Sequence, residues 1–165
     1  MILLDTSDSH YNLGLLYRLN GDPHDARASF KLARDVRVDC FGENALEVAE
    51  VDVSAGFTDH QLGRLEDARK HYEHAYLVRK HHLSDVHPDT EEALSLLKAV
   101  RESLGMSNSR MDLDELQLSF NLSQMTSNSK TVLSSFGTSS TQPNYDQYEE
   151  NKMTYSIDSN DNILS

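Results

Sequence analysis

A set of small and aromatic residues near the start of the chain returns 42 residues later in a single register. Gly14, Gly21, Ala26, Arg27, Phe30, Ala33, Val36 and Arg37 are answered by Gly56, Gly63, Ala68, Arg69, Tyr72, Ala75, Val78 and Arg79. Glycine and alanine let two helices approach closely, and the aromatic and aliphatic positions fill the space left between them. The recurrence therefore predicts a repeated helical hairpin, a unit that cannot bury its apolar face alone and must stack on a neighbour.

Apolar spacing and end signals place five helices. The first covers about residues 7–19 with Thr6 or Ser7 as its cap; Asn20-Gly21 ends it, and Asp22-Pro23 starts a second that reaches about Cys40. The third, about 44–62, is the least regular, because Glu47, Glu50, Asp52 and Asp59 interrupt an apolar face of Val48, Val51, Ala55 and Phe57. Gly63 turns the chain into a fourth helix, about 65–82. His87-Pro88-Asp89-Thr90 opens a fifth that stops at Gly105, with proline in the first turn and acids at the positive end of the helix dipole.

These offsets resemble the tetratricopeptide repeat, a helix–turn–helix unit of about 34 residues. Leu13, Gly14, Tyr17, Ala26, Phe30 and Ala33 match its pattern in full, and Ala55, Gly56, Asp59, Ala68, Tyr72 and Ala75 match with one departure. Asp59 stands where the family has tyrosine, which is expected to weaken packing there. The longer 42-residue period and the His-Pro-Asp-Thr opening resemble the extended repeats of kinesin light chains and nephrocystin-like signalling proteins. The resemblance covers about residues 7–105. It implies an all-α, right-handed α-solenoid of two helix–turn–helix repeats plus a C-terminal capping helix. That fifth helix keeps the register at Gly105, but Lys98 and Arg101 replace the glycine and tyrosine of the earlier units. It is expected to bury Ala93, Leu94, Leu96, Leu97 and Val100, to turn Lys98, Arg101 and Glu102 to water, and to have no second helix after it. Arrays usually need at least about three units, so the chain reads as the end of a longer array or as a short one that self-associates through its first helix.

Residues 106–165 form another regime, in which Ser, Thr, Asn and Gln make up 29 of 60 positions. Such a segment buries too little apolar surface to offset the entropy of ordering, so a disordered acidic tail is expected beyond a repeat domain of residues 1–105. Within it, Met111, Leu113, Leu116, Leu118 and Phe120 read either as a short docking helix or, the stronger expectation, as scattered residues of a solvated tail. Tyr145, Tyr148 and Tyr155 lie among acids in a setting that suits a kinase.

The formal net charge of −12, with no basic stripe, argues against a nucleic-acid partner. No run approaches the roughly 18 apolar residues of a membrane span, so no membrane partner is expected. The apolar start lacks a basic flank, and a cytoplasmic location follows, in which the lone Cys40 is an ordinary, partly buried thiol. His71 and His74, with His81, His82 and His87 nearby, could hold zinc; yet Lys70, Arg79 and Lys80 lie among them and no fixed ligand spacing appears. Solvated surface histidines are the expectation, and no metal is assigned. Asp158, Asn160 and Asn162 imitate a calcium loop, but Ile163 occupies its glycine position. No nucleophile elbow, phosphate loop or paired carboxylate is visible, so neither catalytic residues nor a cofactor are assigned.

What remains is a surface for a protein or peptide ligand. The resemblance implies that first helices line a concave face and that partner peptides lie along it. The side chains facing away from the second helices are Asp8, Tyr11, Asn12, Leu15 and Arg18 in unit one and Glu50, Val53, Ser54, Phe57 and His60 in unit two. Tyr11, Leu15, Val53 and Phe57 would form an apolar floor flanked by Arg18 and His60, with packing between units as the competing role for each. Arg34 is placed on the opposite, convex face. The chain thus reads as a non-catalytic protein-interaction module; the alternative is a structural cap of a longer array in a multidomain signalling or motor-adaptor protein, with no ligand of its own.

Overall fold

The computed structural model describes residues 2–135, with side chains described for 5–109 and 112–125. It contains α1 (Ile2–Asn20), α2 (Pro23–Phe41), α3 (Leu46–Gln61), α4 (Leu65–His82), α5 (Pro88–Ser103) and α6 (Arg110–Ser135). Consecutive helices from α1 to α5 pack against one another, and α1 also touches α3, the order of an α-solenoid. Contacts divide the chain into two compact units, Met1–Leu122 and Ser123–Ser165; of the second, only the last part of α6 is described.

Each first helix ends in the same way. Gly21, Gly63 and Gly105 have φ of +86°, +69° and +70°, the left-handed region that residues with a Cβ avoid. The next amide reaches back to an orphan helix carbonyl: Asp22 to Tyr17 at 2.9 Å, Arg64 to Asp59 at 2.8 Å and Met106 to Arg101 at 2.8 Å. Inside the hairpins a second pair of glycines serves close approach. A Cβ on Gly14 would meet the Phe30 ring at 2.7 Å, and one on Gly56 the Tyr72 ring at 2.8 Å.

The core lies between each second helix and the first helix that follows. Ala26, Phe30 and Ala33 of α2 enclose Val51 and Ala55 of α3, with Tyr11, Leu15 and Tyr17 of α1 packed alongside. Ala68, Tyr72 and Ala75 of α4 enclose Ala93, Leu97 and Val100 of α5. Burial of this kind stabilises by roughly 25 cal/mol per Å² of apolar surface removed from water.

An arginine repeats the same latch at both junctions. Arg37 donates to the Glu47 carbonyl and the Glu50 carboxylate, both at 2.7 Å. Arg79, 42 residues on, donates to the Asp89 carbonyl at 2.7 Å and the Glu92 carboxylate at 3.2 Å. Each guanidinium is buried and spans from the last turns of a second helix to the first turns of the next first helix.

Five expected helices are present within a few residues of their expected bounds, and four local expectations are corrected. Helix α1 starts at Ile2, so Ser7 is not its cap; the Ser7 hydroxyl is buried against α2, donating to the Ala33 carbonyl at 3.2 Å and accepting from Arg37 at 3.1 Å. Cys40 is exposed. Arg101, expected in water, is 4% exposed. The linker after α5 folds over it, and it donates to the Ser107 carbonyl and, at 3.1 Å, to the Asn108 side chain. The fourth correction concerns the tail: a helix, α6, follows α5 where disorder was expected from residue 106. Leu113, Leu116 and Phe120 share one stripe; Phe120 is buried in the α4–α5 cluster and the two leucines pack against it. The Met111 side chain, the three tail tyrosines and the Asp158–Asn162 stretch lie outside the described residues.

Candidate functional site

The face shared by α1 and α3 holds the residues selected from the sequence, and the structure sorts them into two groups. Tyr11 is partly buried: its hydroxyl shares a hydrogen bond with Ser54 at 3.2 Å, its ring lies 5.7 Å from that of Phe30, and the Arg37 guanidinium sits 5.0 Å above it. Leu15 packs on the α2–α3 cluster and Val53 on the α4–α5 cluster. These three therefore serve the joint between units as well as the surface. Asn12 and His60 are exposed.

Arg18 and Phe57 form the second group. The Arg18 guanidinium lies 5.0 Å over the Phe57 ring, tying α1 to α3, while Phe57 stays 39% exposed. An exposed cation–π pair contributes about 0.5–1 kcal/mol. Its greater effect is to hold a large aromatic at the surface in a fixed orientation, which lowers the entropy lost when that side chain meets a ligand.

Sequence reasoning missed a polar cluster beneath the opposite face. Asp52 of α3 is fully buried, and its carboxylate receives Arg34 at 2.7 Å, His71 Nδ1 at 2.8 Å and His74 Nδ1 at 2.5 Å. An ionised carboxylate only accepts, so both ring nitrogens carry hydrogen. Burial alone would raise the Asp52 pKa; the two histidine hydrogen bonds and the charges of His74 and Arg34 outweigh it and hold the carboxyl well below the usual range. Arg34 is correspondingly held above its ordinary value, because Asp52 and Glu43 overcome the effect of burial.

One turn pair along α3, buried Asp59 takes Arg27 at 2.6 Å and Arg64 at 3.4 Å. The position where the family has tyrosine thus carries a cross-helix ion pair. His71 and His74 are accordingly not solvated surface histidines, and Arg34 is not a bare convex-face residue; all three turn inward because α3 presents buried negative charge. A cleft of about 240 Å³ opens above these pairs, lined by Arg27, Lys31, Arg34, Asp59 and His71 among others. Among the described residues no group of three or more His, Cys, Asp or Glu is arranged to hold a metal ion, and no helix is long and apolar enough to cross a membrane. His87 caps α5, its Nδ1 accepting from the Asp89 amide at 3.2 Å.

Hairpins of this geometry, stacked in register with small residues at their crossings, define a helical-repeat protein. Residues 5–80 match the family model of the tetratricopeptide repeat. Repeats of this family are protein-interaction modules without catalytic function of their own. A search of curated proteins finds no match to the chain.

Proposed function

We propose that the α1–α3 face binds a peptide or helix of another protein, with Arg18 and Phe57 as its centre and Tyr11, Asn12, Leu15, Val53 and His60 around them. The carrying observation is the Arg18–Phe57 pair, a half-exposed aromatic held by a cation across two repeat units. Such a pair suits a ligand that brings an apolar anchor to Phe57 and an acidic group to Arg18 and, in its protonated form, His60. The 42-residue period supports placing these repeats with the extended type resembling kinesin light chains. An exposed, unpaired Cys40 supports a reducing, cytoplasmic setting.

The test is recovery of partners from a cell lysate by the full chain and its variants. Arg18→Ala and Phe57→Ala are each expected to weaken recovery by about 1–2 kcal/mol, because binding energy concentrates in rigid aromatic and arginine positions. Tyr11→Ala should weaken it too, but with a lower melting temperature, since Tyr11 also joins the units. Lys31→Ala, 71% exposed on α2, should change neither. If Arg18→Ala and Phe57→Ala both leave recovery intact, the groove reading fails and a structural cap without its own ligand takes its place.

A further inference from the structure

The α1–α3 groove has two unlike ends. Along the first helices, positions 8, 50 and 92 carry Asp8, Glu50 and Glu92, and three residues earlier positions 5, 47 and 89 carry Asp5, Glu47 and Asp89, each set repeating every 42 residues. All six are exposed. One acid per helix suits the positive end of the helix dipole, and the other answers the arginine latch. Yet the latch leaves charge over. Among the described residues the six carboxylates form ion pairs only with Arg37, Arg79 and His87, so at least three negative charges stay unmatched even with His87 protonated. The side chains of Asp8, Glu50 and Glu92 remain 66%, 53% and 58% exposed beside the buried guanidiniums. An open cleft of about 590 Å³ lies on this edge, with Glu47, Glu50, Asp89 and Arg79 in its lining.

The opposite end is cationic. Arg18 and His60 stand ten residues after Asp8 and Glu50, or about 15 Å along each helix. Arg18 makes no ion pair among the described residues; its guanidinium lies over Phe57. The third member of that register is Glu102, which confines the cationic end to α1 and α3. Phe57 stands between the two ends, seven residues after Glu50 and three before His60, which is about 10 Å from one and about 5 Å from the other.

We propose that the groove selects the order of charges in its ligand: an extended segment along the α1–α3 axes that brings a Lys or Arg to the acidic end, an apolar side chain to Phe57 and an Asp or Glu to Arg18. At about 3.3 Å per residue, the base belongs three residues from the apolar anchor and the acid one or two residues beyond it on the other side. Charge complementarity at both ends carries this, because a segment with its charges exchanged meets like charge twice. The inference rests on the groove reading and adds to it the ligand's basic end and its spacing.

The test uses the full 165-residue chain and two fluorescent heptapeptides with blocked termini, Arg-Arg-Ser-Ser-Leu-Glu-Glu and its exchanged form Glu-Glu-Ser-Ser-Leu-Arg-Arg. Both have the same composition and no net charge, so the −12 of the chain favours neither. Anisotropy titration at about 0.05 M salt should saturate with the first and be at least about tenfold weaker with the second, and the gap should narrow at about 0.5 M. Glu47→Lys, at an exposed carboxylate without an ion pair among the described residues, should weaken the first probe by at least about fivefold and melt as the parent does. Asp25→Lys, a first-turn acid exposed on α2, should stay within about twofold. Absence of saturation, or equal binding of the two probes, overturns the proposal and leaves the groove reading to its own test by partner recovery. Binding lost in Phe57→Ala but indifferent to Glu47→Lys keeps the groove and overturns the charge order. Binding lost in Glu47→Lys but indifferent to Phe57→Ala would mean that the acids hold the probe outside the groove, and overturns both.

Discussion

The α2–α3 and α4–α5 junctions are the same stretch of backbone 42 residues apart, built from different chemistry. Both use Ala-x3-aromatic-x2-Ala on the second helix and end in the same arginine latch. Between those fixed points the first junction sets Arg34 against buried Asp52 and Arg27 against buried Asp59, whereas the second has Tyr76 and Leu94 at the positions of Arg34 and Asp52. Small residues and the latch set the geometry; what fills the remaining space can be ionic or apolar. The ionic solution is the more exposed to disturbance, because removing one partner leaves uncompensated charge in a poorly solvated place.

The largest expected effect follows from that asymmetry. Asp52→Ala removes the buried acceptor shared by Arg34, His71 and His74, leaving Arg34 only its pair with Glu43, and should destabilise by about 3–5 kcal/mol, read from chemical denaturation. Leu94→Ala, its counterpart in the second junction, removes a partly buried side chain and should cost only about 1 kcal/mol. Equal losses would erase the distinction between the junctions. Where they are alike they should respond alike: Ala26→Leu and Ala68→Leu, both at fully buried positions, should each cost about 1–3 kcal/mol through overpacking. Ala28→Leu on the outer face should stay within about 0.5 kcal/mol.

Acid sharpens the same contrast. The Asp52 carboxyl is depressed in the folded chain, so its contribution is fully present above the unfolded value near 3.9 and is lost as pH falls toward the lower folded value. Melting temperatures of the parent and of Asp52→Asn should therefore differ most at neutral pH and converge as pH drops below about 4. A gap that stays constant with pH would remove Asp52 from the account. A milder effect than that of Asp52→Ala is expected from recasting one junction as the other. Arg34→Tyr with Asp52→Leu installs the residues of positions 76 and 94 and should lie within about 1–2 kcal/mol of the parent, far milder than Asp52→Ala alone.

The helices that repeat were legible in the sequence, because Gly21, Ala26, Phe30 and Ala33 and their echoes state the crossing geometry twice. The buried acids were not. Asp52 and Asp59 have no acidic echo 42 residues later, and their partners lie on α2 and α4, so α3 read as an irregular apolar face. Arg37 and Arg79 were visible as a recurrence, but their role needs the carbonyls of Glu47 and Asp89, which only the crossing brings near. Helix α6 was hidden by its surroundings: Leu113, Leu116 and Phe120 keep helical spacing, yet the Ser- and Asn-rich composition around them argued for disorder. Of the residues proposed for the groove, Arg18 and Phe57 stack on each other, while Tyr11, Leu15 and Val53 pack on the core clusters at the joints between helices.

The central claim is that this face receives a partner, and hydrogen exchange of the full chain, alone and with the partner recovered through it, tests that most directly. Slowed exchange is expected along residues 11–18 of α1 and 53–60 of α3, where Arg18 and Phe57 lie, with α2 and the outer side of α4 unchanged. Protection confined to α2 and α4, or none in α1 and α3, would contradict it.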